Sequence, residues 1–99
     1  MKTYEIINKI RDYFSTQPVE KVYLFGSYAR SQQNKDSDID LLLEFESNAK
    51  IGLIQFSRMK LDIEKALNNK VDILTNKSIS PHILPFIQND LIKIYEKSN

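Results

Sequence analysis

The sequence predicts an α/β (α+β) domain in which one small sheet of three to four strands is backed by helices. Two observations carry that expectation. Segments with apolar residues at helical spacing alternate with short β-branched or aromatic runs, in the order α, β, α, β, α, β, α. Such alternation lays helices against a sheet. The second observation is size and composition. At 99 residues, 41% apolar and 27% charged, the chain suits one domain over residues 1–99, with enough apolar matter for a single core and too much for disorder.

The elements follow in order. Tyr4, Ile7, Ile10, Tyr13 and Phe14 recur at helical spacing with charges between them, which predicts an amphipathic helix over about 3–15. Gln17-Pro18 ends it, because proline has no N–H to continue the ladder. Lys21 to Phe25 (KVYLF), stopped by Gly26, reads as a strand. SYARSQ at 27–32 reads as a short helix, 33–37 as a polar loop, and DIDLLLEF at 38–45 as the second strand. Residues 51–68 place Leu53, Phe56, Met59, Leu61, Ile63, Ala66 and Leu67 among good helix formers. They make the longest helix, closed by Asn68-Asn69. VDIL at 71–74 is a third strand. Pro81 and Pro85 can each open a helical turn, giving a short helix to about residue 89. The tail LIKIYE at 91–96 fits a helix or a strand equally.

Composition excludes several classes of function. There is no cysteine, so disulfides, zinc–thiolate sites and thiol catalysis are absent. The net charge of +1 offers no basic track for a phosphate backbone, so direct nucleic-acid binding is not expected. No apolar run approaches the roughly 18 residues of a membrane span. Glu5, Lys9, Arg11 and Asp12 interrupt the N-terminal apolar residues and break any signal-peptide core. A cytoplasmic protein with no membrane partner is expected.

The stretch FGSYARSQQNKDSDIDLL at 25–42 carries the chemistry. Asp38 and Asp40 sit at i and i+2 of a strand, on one face, with α-carbons about 6.6–7 Å apart. Carboxylates so placed can converge on one or two hard cations such as Mg²⁺. Ile39, Leu41, Leu43 and Phe45 form the opposite, apolar row that anchors the strand. Two like charges side by side are costly unless neutralised. Alone, the pair also describes a solvated acidic strand start. Gly26 lets a ligand approach the backbone, and a helix opening after it offers free amides to phosphate. Ser27 can add a hydroxyl, and Arg30 a charged fork to phosphate or to the aspartates. Alone, Gly26 is equally a turn glycine and Ser27 a helix cap. Together, a phosphate cradle and a metal-ligating pair on neighbouring strands are what nucleotidyl transfer requires. A third carboxylate is then expected on another strand, and Asp72 in KVDIL, between core-facing Val71 and Ile73, is the candidate. Its alternative is an exposed strand acid.

GSYAR at 26–30, SDIDLLLEF at 37–45 and IEKALNNKVDIL at 63–74 resemble the DNA polymerase beta-type nucleotidyltransferase superfamily, in its minimal nucleotidyltransferase (MNT) branch. SPHILPFIQNDLIKIYE is similar to the family's last helix and strand, which favours a strand at 91–96. The resemblance implies the polymerase beta-like fold with its small mixed sheet. It implies Mg²⁺-dependent transfer of NMP, AMP from ATP in the first instance, to an acceptor hydroxyl, with two metal ions. By position, Gly26 and Ser27 would hold the β and γ phosphates and Asp38 and Asp40 would ligate both metals. Asp72 would ligate the catalytic metal and help deprotonate the acceptor, while Arg30 would steady the site. Family members of this length are commonly antitoxins of HEPN/MNT pairs that add AMP to a tyrosine of the HEPN toxin. The departures are Ser31, where glycine often follows the arginine, and Asn68-Asn69, which replace a common turn glycine.

Three readings follow. The first is an adenylyltransferase acting on a partner protein. The second is a binding-only antitoxin that occludes a HEPN toxin. The third is a nucleotidyltransferase for a small molecule or an RNA end. His82 and Lys35 read as solvated loop residues, and the tyrosines are too dispersed for base stacking.

Overall fold

Ile6, Ile10 and Phe14, four residues apart, form the buried stripe of the first helix, α1 (Thr3–Phe14). The computed structural model describes residues 1–76 and 78–98. The expected stripe is rotated by a few tens of degrees: Ile7 and Tyr13 flank it, and Tyr4 lies exposed. A spacing of four tracks a slightly different line down the helix than a mixture of threes and fours. The backbone N–H of Lys2 donates to the Glu5 carboxylate at 3.2 Å and closes the N-terminus.

Strand β1 (Val19–Phe25) starts two residues earlier than its apolar run, because Val19 pairs with Phe45 across a register shift before Lys21. A single turn, α2 (Gly26–Ala29), follows, and then β2 (Ile39–Phe45). Helix α3 (Leu53–Leu67) buries Met59, Ile63 and Leu67 and leaves Leu53 and Leu61 exposed. It ends on Asn68, at φ 50°. The chain continues as β3 (Val71–Thr75), one turn α4 (Leu84–Gln88) with Pro85 in its first turn, and β4 (Ile92–Glu96). The ambiguous tail is therefore a strand.

The four strands form one mixed sheet in the order β3-β2-β1-β4. β1 runs antiparallel to both β2 and β4, and β2 runs parallel to β3. A parallel pair needs a crossover, and α3 supplies it. Alternation divides the sheet's residues between two faces. Val22, Leu24, Ile39, Leu41, Leu43, Val71 and Ile94 are buried in one cluster with the apolar stripes of α1 and α3. The other face carries Tyr23 and Phe25 of β1, Asp40, Leu42 and Glu44 of β2, and Asp72 and Leu74 of β3. Tyr13 donates to Asp62 at 3.0 Å and fastens α1 to α3. Val71 N–H donates to Glu64 at 3.0 Å and fixes the start of β3 to the end of α3.

Candidate active site

The register decides which acids meet. Asp40 of β2 is the in-register partner of Asp72 on β3 and of Phe25 on β1. Neighbouring strands lie about 4.8 Å apart, so partnered side chains stand side by side on the same face. Asp38 lies one residue ahead of β2, just outside the strand in which it was expected. The N–H of Ile39 donates to the Lys70 carbonyl at 3.0 Å, which ties this entry to the start of β3. Before it, Ser37 Oγ accepts from Asn34 N–H at 2.9 Å and Asn34 Oδ1 accepts from Asp36 N–H at 2.8 Å. Those short bonds shape the polar loop that delivers Asp38.

Electrostatics mark Asp40 as the centre. Burial pushes its carboxyl up to about 6, with Asp72 and then Asp38 adding like-charge repulsion and Arg30 opposing. Asp40 thus senses both other acids, as a crowded anionic site requires. Among the described residues, no three acids or histidines are drawn tightly enough together to form a metal-holding group. The donor set itself fits a hard divalent cation: three carboxylates, no sulfur and no imidazole.

Gly26 is required here on two grounds. Its φ of 74° is a conformation that side-chain-bearing residues rarely adopt. A Cβ on it would also collide with Asp40 Oδ2 and come within 3.0 Å of Asp40 Cγ. The Asp40 carboxyl therefore lies in the space that the missing side chain leaves. The expected helix at 27–32 is one turn of four residues, Gly26–Ala29. Ser31 breaks it at φ 56°, and Gln32 N–H donates to the Ser27 carbonyl at 2.9 Å. So short a turn has little dipole. What it offers at Ser27 and Tyr28 is the N–H groups that a first turn leaves without intrahelical partners.

Arg30 is turned onto a residue that sequence reasoning missed. Its Nη1 donates to Asp90 Oδ2 at 2.8 Å and its Nε to Gln32 Oε1 at 3.1 Å. It remains close enough to oppose the rise at Asp40. Asp90 is sixty positions away in sequence and had no local signal. Tyr28, in the same turn, accepts from Asn69 Nδ2 at 3.1 Å, so the turn is also tied to the α3–β3 corner. The structure thus brings Gly26, Asp40 and Asp72 together, sets Asp38 and Ser27 at their margin, and leaves Arg30 engaged with Asp90.

A mixed sheet with paired acids on adjacent strands and a glycine-opened turn beside them defines a protein of the nucleotidyl-transfer class. Residues 5–94 match the nucleotidyltransferase domain, and the chain belongs to that family. Within it, the chain is similar to two Methanocaldococcus jannaschii proteins provisionally named as protein adenylyltransferases. One is 40% identical over 77% of each chain; the other is 36% identical over 95% of this chain and 99% of its own. A solved structure provisionally named a minimal nucleotidyltransferase superposes with a TM-score of 0.76, at 27% identity, over 93% of this chain and 95% of that one. A complex of a tri-AMPylated Shewanella oneidensis HEPN toxin with its MNT antitoxin contains a chain matching 97% of this one and 74% of its own length. There the TM-score is 0.72 at 19% identity, a likeness of fold. The chain is thus a nucleotidyltransferase of the minimal type.

Proposed function

We propose that this protein is a protein adenylyltransferase that moves AMP from ATP to a tyrosine hydroxyl of a HEPN-type partner, as an antitoxin acting in the cytoplasm. The observation that carries the chemistry is the Asp40–Asp72 register beside the gap left by Gly26. The names of the relatives and the AMPylated toxin in the Shewanella complex support the acceptor.

In this reading Gly26 and Ser27 hold the β and γ phosphates, with backbone N–H groups facing the anion. Arg30 steadies the triphosphate and leaves Asp90 to do so. Asp38, Asp40 and Asp72 would hold Mg²⁺, two ions by family resemblance, and the bound metal supplies neutralisation of charge at the transferring phosphorus. Asp72 accepts the proton of the acceptor hydroxyl. The acceptor oxygen forms its bond to the α phosphorus while the α–β bridging bond breaks, and pyrophosphate leaves with the electron pair.

The test is incubation with ATP labelled at the α phosphate, Mg²⁺ and the partner encoded beside this gene. Label is expected on a partner tyrosine. A folded, unlabelled partner would overturn the reading. If an Asp38→Asn, Asp40→Asn double variant still neutralises the partner at stoichiometric amounts, occlusion without catalysis is the mechanism instead.

A further inference from the structure

The acid-bearing face of the sheet does not end at the acids. Leu42 and Glu44 continue the alternation from Asp40 along β2, and Leu42 is the register partner of both Tyr23 and Leu74. The segment before β4 crosses this part of the sheet. Beneath it lies a cavity of about 320 Å³ with apolar walls from Leu42, Leu84 and Leu91 and polar groups from Tyr23, Glu44 and Asn76. No role assigned to the acids or to the phosphate turn uses it.

Resting on the nucleotidyl-transfer reading above, we propose that this cavity is the base subsite of the donor nucleotide, taking an amine-bearing purine with Glu44 at its edge. Three features converge. Small-molecule pockets run from about 300 to 1,000 Å³ and combine apolar walls with a few placed polar groups. This one sits at the lower end, the size of a nucleoside rather than of a whole triphosphate. Asp40 and Glu44 are four strand residues apart, about 13 Å. Gly26 follows Phe25, the register partner of Asp40, so the phosphate turn lies at the end of β2 away from Glu44. A nucleotide with its phosphates at that turn and its α phosphate at Asp40 and Asp72 extends its base toward Glu44. A carboxylate accepts hydrogen bonds and donates none, so it favours an exocyclic amine and repels the carbonyl-rich edge of uracil. Burial and the neighbouring Glu44 push the Tyr23 hydroxyl up, so that it stays protonated and available as a donor beside the carboxylate. An acceptor tyrosine in the same cavity would bury its hydroxyl near Glu44, away from the acids that must deprotonate it.

Equilibrium binding of ATP, UTP and inorganic tripolyphosphate, each with Mg²⁺, tests the assignment. Wild-type protein is expected to bind ATP at least tenfold more tightly than UTP or tripolyphosphate. Glu44→Ala removes a charged hydrogen-bond acceptor, and Leu84→Glu places a charge in the roof at a partly exposed position. Each should weaken ATP about tenfold and leave tripolyphosphate unchanged. Equal wild-type affinity for ATP and tripolyphosphate overturns the subsite while leaving the transferase reading intact. Parallel loss of both ligands in the variants, or a raised KM for the acceptor protein with ATP binding intact, overturns it as well. Wild-type protein that binds none of the three sinks the nucleotidyl-transfer reading and the subsite with it.

Discussion

Asp40 is a carboxyl held at a cost, and the cost has a sign that can be measured. Its folded value is raised from 3.8 to about 6. The folded state therefore binds a proton more readily than the unfolded chain over that range. Its contribution to stability is fully present below about pH 4 and is lost as pH rises through about 6. In metal-free protein, the melting temperature measured against pH should fall between those values, and Asp40→Asn should flatten that fall. A variant that melts well below wild type at pH 7 would mean that the acid is structural. Gly26 is the second residue on which the site turns. Gly26→Ala forces a side chain into left-handed backbone and drives a methyl group against the Asp40 carboxyl. We expect about 1–2 kcal/mol lost in chemical denaturation from the backbone conformation alone. Transfer activity should drop by at least tenfold, because the carboxyl must move to make room.

At the scale of elements, two termini turn left-handed at residues other than glycine. Ser31 ends the α2 turn at φ 56° and Asn68 ends α3 at φ 50°, a backbone region that favours glycine. Ser31→Gly should raise stability by about 0.5–1 kcal/mol, the left-handed cost less the extra freedom of an unfolded glycine. Asn68→Gly should gain less, since asparagine tolerates that region. Paired urea titrations check both. The elements were legible because their signals are local: Ile39, Leu41 and Leu43 alternate on β2, and Pro18 and Pro85 punctuate. What was not legible was set by contacts between distant residues. Val19 joined β1 through Phe45, and α2 closed early where Ser31 turned. Arg30 found Asp90, and α1 rotated its stripe so that Tyr4 faces out. The Arg30–Asp90 pair is partly exposed, so it adds about 0.5 kcal/mol or less, which leaves the arginine free to change partners.

Across the whole molecule, one strand serves two purposes through a period of two. Ile39, Leu41 and Leu43 anchor the core while Asp40, Leu42 and Glu44 stand on the other face, so the site rests on a strand that the core holds in place. The pairing of Asp40 with Asp72 was legible as a need for a third acid but not as a register, which depends on the parallel crossover through α3. At neutral pH that arrangement leaves the free protein with like-charge repulsion that a bound cation would relieve, and binding must then appear as stability. A ligand present at a hundredfold excess over its Kd adds about 2.7 kcal/mol to a protein whose unfolded state does not bind it. For a domain of this size each kcal/mol moves the melting temperature by about 4–8 °C. Saturating ATP with Mg²⁺ should therefore raise it by about 10 °C or more in calorimetry, and sodium chloride at matched ionic strength should not reproduce the rise. Asp72→Asn should keep its fold, because Asp72 is exposed and supports no core contact, yet lose most of the increase. A wild-type protein that melts at the same temperature with and without the ligand would show that the three acids share no cation and that the paired register serves only the sheet.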